Sequence, residues 1–288
     1  MGVLSPHKQF QADRFAGCAN WLALICIHIC VFLVCVFLAC ISLLCLPVIY
    51  QPSACAISGK IKVALFEDRG ASAPAKKNFE NVLSSSDDIQ FQTIYGDDIA
   101  DGSLQGFDAL IMPGGSASKQ AISLGPQARA EVRRFVKDGG IYMGVCAGAY
   151  LSSEAQDNYL GLLPLTTMDQ KHWYRVDDGT PVEVELTPAG MDVFGLKARN
   201  INIVYENGPI FAPPTQKVDD SFTPLGFFRS EVVADGGQRG VMLGAPAMIL
   251  SRYGRGIVLA ISPHPEKTPG LKQMIVRALR WMYDHRTT

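Results

Sequence analysis

From residue 60 onward, short apolar runs alternate with stretches of helical spacing. Ile61–Phe66 reads as a buried strand, followed by a helix around Ala75–Leu83. Ile89–Tyr95 and Ala109–Met112 are the next two strands, the second stopped by Pro113-Gly114-Gly115. Pro126–Lys137 carries Ala130, Val132, Phe135 and Val136 at helical spacing and ends at Gly139-Gly140. Ile141–Val145 is a fourth strand that runs directly into Cys146 and a helix predicted over Ala147–Glu154. The middle, about 180 to 251, is richer in β pattern. Val182–Leu186 alternates with Glu183 and Glu185, which predicts a strand with one wet face, and Asn200–Tyr205, Leu225–Val233 and Ala247–Ser251 follow. Gly256–Ser262 is again a buried strand, and Pro269–Tyr283 closes the chain as an amphipathic helix with Leu271, Ile275, Leu279 and Met282 on a shared side. Strands alternating with helices in this way predict an α/β domain built on a mainly parallel sheet, with helices on both faces.

The first 59 residues follow a different pattern. Positions 15 to 59 contain no Asp, Glu, Lys or Arg, and residues 21–46 are apolar at 24 of 26 positions, His28 and Ser42 being the exceptions. A run of ~20 apolar residues crosses a bilayer as a helix, so this one is long enough with room for tilt. The chain therefore divides into a polar tail (1–20), a transmembrane or signal segment (21–46), a linker (47–59) and a globular domain (60–288). Read as a signal peptide, Lys8 and Arg14 form its n-region and Ala54-Cys55-Ala56 its cleavage site. The run is longer than the ~7–15 residues of a usual h-region, which favours a retained membrane anchor. The expected location is the membrane through a single span; the alternative is a secreted or periplasmic protein cleaved near Ala56.

Cysteine usage and charge narrow the chemistry. Seven of the eight cysteines (18, 26, 30, 35, 40, 45 and 55) precede residue 60, leaving Cys146 alone in the globular part. One cysteine cannot staple its own domain, a Cys-rich zinc site is excluded for the same reason, and no His-Glu-x-x-His run is present. Neither a metal nor an organic cofactor is expected. Beyond residue 59 there are 24 basic against 26 acidic residues, which gives no electrostatic reason to expect a nucleic-acid partner.

Cys146 ends a predicted strand and begins a predicted helix, among Gly144, Ala147, Gly148 and Ala149. Small residues permit the sharp turn of a nucleophile elbow, and a helix N-terminus favours thiolate over thiol. A lone cysteine is commonly only a small buried hydrophobe, but the Gly-x-Cys-x-Gly spacing argues for a nucleophile. Of the five histidines, His7 lies in the tail, His28 in the apolar run and His285 near the C-terminus. His172, within Lys171-His172-Trp173-Tyr174-Arg175, reads as a loop residue or substrate contact. His264 directly follows the last buried strand, at the carboxyl edge where open α/β sheets carry their sites. Glu266, two residues on, is suited to hold its tautomer and to stabilise an imidazolium. The Pro113-Gly114-Gly115 turn, at the same edge, would supply one oxyanion N–H from a glycine, and Ala147 the other.

These residues resemble the class I glutamine amidotransferase-like superfamily, through MPGG (112–115), GVCAGA (144–149) and SPHPE (262–266) in the family's order. Within it, GVCAGAY, NGP (207–209) followed by Phe211, and YGRGIVLAISPHPE (253–266) are similar to the biotin-protein ligase N-terminal domain-like group, with FEDRGAS (66–72) a weaker match. The resemblance covers about residues 60–284. It implies a flavodoxin-like three-layer sandwich, and a triad of Cys146 as nucleophile, His264 as base and Glu266 as orienter. Gly115 and Ala147 would be the oxyanion donors, and Gly114, Tyr150 and Asn207 the substrate-binding candidates. Authentic glutaminases usually carry Gly-x-Cys-Leu-Gly-x-Gln; here Ala147 follows the cysteine and Tyr150 stands at the Gln position, which argues against glutamine. No synthase domain accompanies the motifs, and a synthase partner is compatible with them but not indicated. A biotin-ligase catalytic domain is not expected, and the group's name is read as denoting homology.

The resulting expectation is a membrane-associated or exported cysteine hydrolase of amidotransferase type, acting on a small amide or peptide-like substrate. The alternative is a non-catalytic ligand-binding or regulatory module that keeps the fold.

Overall fold

Four apolar runs build the centre of one sheet. In β1 (Ile61–Phe66), β3 (Ala109–Met112), β4 (Ile141–Val145) and β9 (Gly256–Ile261) every residue except Lys62 is buried, as strands covered on both faces require. The computed structural model describes residues 59–168, 179–212, 222–233 and 239–287. The remaining strands are β2 (Ile89–Ile94), β5 (Thr180–Leu186), β6 (Asn200–Tyr205), β7 (Phe222–Phe228) and β8 (Pro246–Tyr253).

The nine strands lie in the order β2-β1-β3-β4-β9-β8-β7-β5-β6. The β2-to-β9 half is parallel throughout, with Val63 beside Ala109, Ile111 beside Met143 and Met143 beside Leu259. The other half is antiparallel throughout. The expected mainly parallel sheet is thus a parallel core with an antiparallel extension. Its start is dictated locally: only Gly254 and Arg255 separate β8 from β9, and a two-residue link permits only an antiparallel return.

Side-chain alternation assigns the helices to two layers. Val63 and Leu65 pack with Phe79 and Leu83 of α1 (Ala73–Leu83), Phe194 of α5 (Pro188–Phe194) and Ile275, Leu279 and Met282 of α6 (Gln273–His285). Ala64 and Phe66, on the opposite face, pack with Ile99 of α2 (Gly96–Ala100), Leu124 and Val132 of α3 (Ala117–Lys137) and Ala149 of α4 (Ala147–Leu151). The result is a three-layer α/β/α sandwich.

Departures from the sequence expectations have local causes. α3 begins nine residues before Pro126, because two helical segments join across Gly125 (φ 62°, ψ 176°) and the buried Gln120 interrupts the apolar pattern of the first. α4 stops at Leu151, where the Ser152 and Ser153 hydroxyls donate to the carbonyls of Ala149 and Tyr150, each at 2.7 Å. β7 starts at Phe222 and accommodates Pro224 at a register shift, where a missing ladder N–H costs little. Among the described residues, no helix is long and apolar enough to cross a membrane. The expected span at 21–46 and His172 lie outside the described residues.

Candidate active site

The connection reverses direction across the sheet at β1, whose neighbours are β2 and β3, and an open α/β sheet offers its ligand crevice at the carboxyl ends of the strands beside such a switch. Cys146 stands at that edge, at the end of β4. Its backbone is left-handed (φ 52°, ψ −103°), and its N–H is held by the Ile261 carbonyl at 2.9 Å. Only one other described residue besides glycine, Asn207 (φ 59°), has positive φ. Gly-x-Cys-x-Gly is a steric requirement here. A Cβ on Gly144 would lie 2.3 Å from the Gly148 oxygen, and one on Gly148 only 2.0 Å from the Met112 oxygen.

His264 follows β9 and is fixed at both ends of its backbone. Its N–H donates to Val204 O at 2.7 Å, and its carbonyl accepts the Thr268 hydroxyl at 2.6 Å. Nδ1 meets Glu266 Oε1 at 2.6 Å, with the histidine 4% exposed and the glutamate fully buried. Burial alone would push the imidazole pKa down; the Glu266 carboxylate and the Cys146 sulfur outweigh it and hold the value well above the ordinary one. Gly114 fits between the two side chains. A Cβ placed there would lie 3.0 Å from His264 Cε1 and 3.6 Å from Cys146 Cβ. The structure therefore brings Cys146, His264, Glu266 and Gly114 together.

Both oxyanion candidates border the same spot. Gly115 (φ 143°) bridges Ala71 through its neighbours: Ser72 N–H donates to Gly114 O at 2.9 Å and Ser116 N–H to Gly70 O at 2.8 Å. In such a pairing the N–H of Gly115 itself points away from the 70–72 loop. Ala147 is the first residue of α4, so its N–H lies outside the intrahelical ladder. Tyr150 is engaged within the fold, its hydroxyl donating to Gly208 O at 3.3 Å, beside Tyr205, which donates to the same oxygen at 2.8 Å. Burial pushes both phenols up. Asn207 Oδ1 is buried near this turn without a hydrogen-bond partner, as is Ser262 Oγ.

Sequence reasoning missed Glu206 and Lys267. The Cys146 thiol donates to the Glu206 backbone carbonyl at 3.4 Å, and Glu206 Oε2 stands 3.9 Å from His264 Nε2 while forming an ion pair with Lys267 Nζ. Three strands separate β6 from β9, about 19 Å on a flat sheet, yet the end of β6 touches the end of β9. The antiparallel half must therefore curl over the site. The available signal was the Glu-Asn-Gly-Pro turn that ends β6.

A cavity of about 400 Å³ opens at the opposite edge, lined by Asp108, Arg134, Phe135, Arg255 and Arg286 among others. Its arginines are already paired, with Glu131, the Asp138 carbonyl and Asp108, and it holds none of the residues above. Among the described residues, no group of three or more His, Cys, Asp or Glu is arranged to hold a metal ion.

Residues 63–163 match the family model described as biotin-protein ligase, N terminal. PurLQS from Thermotoga maritima superposes with a TM-score of 0.55 at 16% identity, covering 77% of this chain and 99% of that one. The two chains share one α/β/α fold. A GMP synthase subunit protein from Thermoplasma acidophilum (TM-score 0.53, 15% identity, 77% and 93% covered) is similar in fold to this chain. So is a ThuA-like protein from Bacteroides uniformis (0.55, 15%, 80% and 94%). No curated protein matches the chain.

Proposed function

We propose that residues 60–288 form a cysteine hydrolase of amidotransferase type that cleaves a small amide or peptide-like bond. The observation that carries this reading is the left-handed elbow at Cys146, with His264 directly across Gly114 and Glu266 bonded to the far nitrogen of the ring. In the proposed reaction the Cys146 proton passes to His264 Nε2 and the sulfur attacks the carbonyl carbon. The resulting oxyanion is received by the N–H groups of Gly115 and Ala147. His264 then returns the proton to the leaving amine, and water releases the acyl group. Gly114 lines the reacting face, and Asn207 offers its unpartnered Oδ1 to a substrate N–H. Residues 21–46 tether the domain to a membrane, a reading supported by 24 apolar positions of 26.

A chloroacetamide-type thiol probe tests the chemistry on the full chain, read at the peptide bearing Cys146. Labelling should fall at least tenfold in His264→Ala and vanish in Cys146→Ser. Equal labelling of the wild type and His264→Ala would sink the proposal. A ligand-binding module is favoured by one observation: the thiol donates to the Glu206 carbonyl, which cannot take its proton. That reading predicts ligand-induced stabilisation that persists in Cys146→Ala.

A further inference from the structure

Glu206 meets the reacting groups twice. Its backbone carbonyl holds the Cys146 thiol proton, and its carboxylate faces the ring nitrogen opposite the one bonded to Glu266. Lys267, which restrains that carboxylate, follows Glu266 directly in the turn Pro265–Lys267. One short turn thus supplies both the carboxylate on His264 Nδ1 and the ammonium that restrains the carboxylate on the Nε2 side. The glutamate is held in place from the other direction as well. Asn207 after it is left-handed, and the Gly208 carbonyl is clamped by the hydroxyls of Tyr150 and Tyr205.

We propose that the Glu206–Lys267 ion pair is a positioning element: it parks the Cys146 thiol on the Glu206 carbonyl and, through the balance of its two charges beside His264 Nε2, sets the pH at which the thiol becomes reactive. The inference rests on the cysteine-hydrolase reading above. The titratable and charged groups around the thiol and the imidazole are Tyr150 from α4 and Tyr205 from β6, both in electrostatic contact with Cys146, Glu206 from the end of β6, and Glu266 and Lys267 from the histidine's own turn. In the parked state the S–H donates to a carbonyl that cannot take its proton. Activation turns the S–H from Glu206 O to Nε2. The proton then moves from sulfur to nitrogen, leaving thiolate and imidazolium with no other bond changed.

With the pair intact, the charges of Glu206 and Lys267 largely cancel at the thiol and the ring. Removing one exposes the other. An uncompensated anion raises the pH at which a nearby thiol or imidazolium gives up its proton, and an uncompensated cation lowers it. Opposite shifts from two substitutions in one ion pair are therefore an electrostatic signature that mere loosening of the turn would not produce.

The test is the pH profile of iodoacetamide alkylation of the full chain in detergent, read at the peptide bearing Cys146. In that reaction the sulfur–carbon bond forms and iodide leaves. Lys267→Met should move the midpoint up by about half to one pH unit and Glu206→Gln down by a similar amount, smaller at 1 M salt. The double variant should fall between them, and Glu206→Asp should stay near wild type because charge and carbonyl are both kept. Shifts of the same sign in the two single variants, or midpoints unchanged in both, would overturn the proposal. His264→Ala separates its failure from that of the reading beneath it. If His264→Ala abolishes rapid alkylation while the ion-pair variants do nothing, only the positioning role is lost. If the wild type titrates as an ordinary thiol, indifferent to His264, both are lost.

Discussion

Gly114→Ala is the most incisive perturbation of this site, because the structure says how far one atom would intrude and upon what. A methyl group there would make ordinary contacts with Ala75 Cβ and Cys146 Cβ, both 3.6 Å away, and would stand 3.0 Å from His264 Cε1. Carbon atoms at rest lie at least ~3.5 Å apart, so the imidazole has to retreat by about 0.5 Å. It cannot retreat as a whole. The His264 backbone is tied to Val204 and Thr268, and Nδ1 to Glu266, so the ring must swing and carry Nε2 away from its place beside Cys146. Gly114 is absent from the glycines with positive φ, so alanine adds no backbone strain. A displacement of 1 Å at a reacting group costs about 100-fold, so half of that costs about tenfold, or roughly 1.4 kcal/mol in activation free energy. Folding stability should change by less than about 1 kcal/mol. The assay pairs the alkylation rate of Cys146 at pH 7 with a thermal melt, and Gly106→Ala, where an added Cβ meets nothing within 4 Å, is the control. Alkylation within twofold of wild type at an unchanged Tm would refute the claim that the imagined methyl lies between an active imidazole and its thiol.

Other positions test the scaffold and its charges. Gly148→Ala would force a Cβ to within 2.0 Å of the Met112 carbonyl oxygen, a backbone atom that cannot rotate aside, and should cost about 3 kcal/mol or more in urea unfolding; a wild-type midpoint would contradict the elbow geometry. Arg280 donates from Nε and Nη2 to Asp88 at 2.6 and 2.7 Å, and its hydrogen bonds hold the Asp88 pKa below the ordinary value. Both side chains are more than a third exposed, so Arg280→Met should cost only about 0.5–1 kcal/mol at pH 7. A lowered carboxylate pKa stabilises above its unfolded value, near 4, and loses that contribution as pH falls through the folded one, so the wild-type advantage should disappear in strong acid; an advantage constant with pH would rule the ion pair out as its source. For His264 the sign is opposite. Its raised pKa contributes stability in full below the ordinary histidine value and loses it as pH rises through the raised one. Glu266→Gln should therefore lower the imidazole titration midpoint, read by NMR, and destabilise the fold most at acidic to neutral pH; an unmoved midpoint would discount Glu266 as the counter-charge.

β1, β3, β4 and β6 could be placed to the residue from the sequence, because each is an uninterrupted or alternating apolar run stopped by a residue that breaks strands or by a turn. The proximity of Cys146, His264 and Glu266 was legible for a related reason: each follows a buried strand, and strands of one parallel sheet deliver their ends to one edge. What escaped was polar and held in place by partners on other elements. Gln120 sits in the core because its Nε2 donates to Pro113 O at 2.9 Å, which ties α3 to the Pro-Gly-Gly turn but breaks the apolar pattern of that helix. Glu206 and Lys267 read as solvated charges in a linear sequence, since nothing local shows that the antiparallel half curls until the end of β6 meets that of β9. The helices α2 and α5, five and seven residues long, are too short to show a helical period. The division has a chemical consequence. The motifs on the parallel half determine that a thiol, an imidazole and a carboxylate can meet, whereas the carbonyl and the carboxylate that the thiol and the imidazole face come from the antiparallel half. Two chains with identical Gly-x-Cys-x-Gly and His-x-Glu motifs can therefore differ in reactivity through one turn after β6, and on this fold that turn is where differences in chemistry should be sought first.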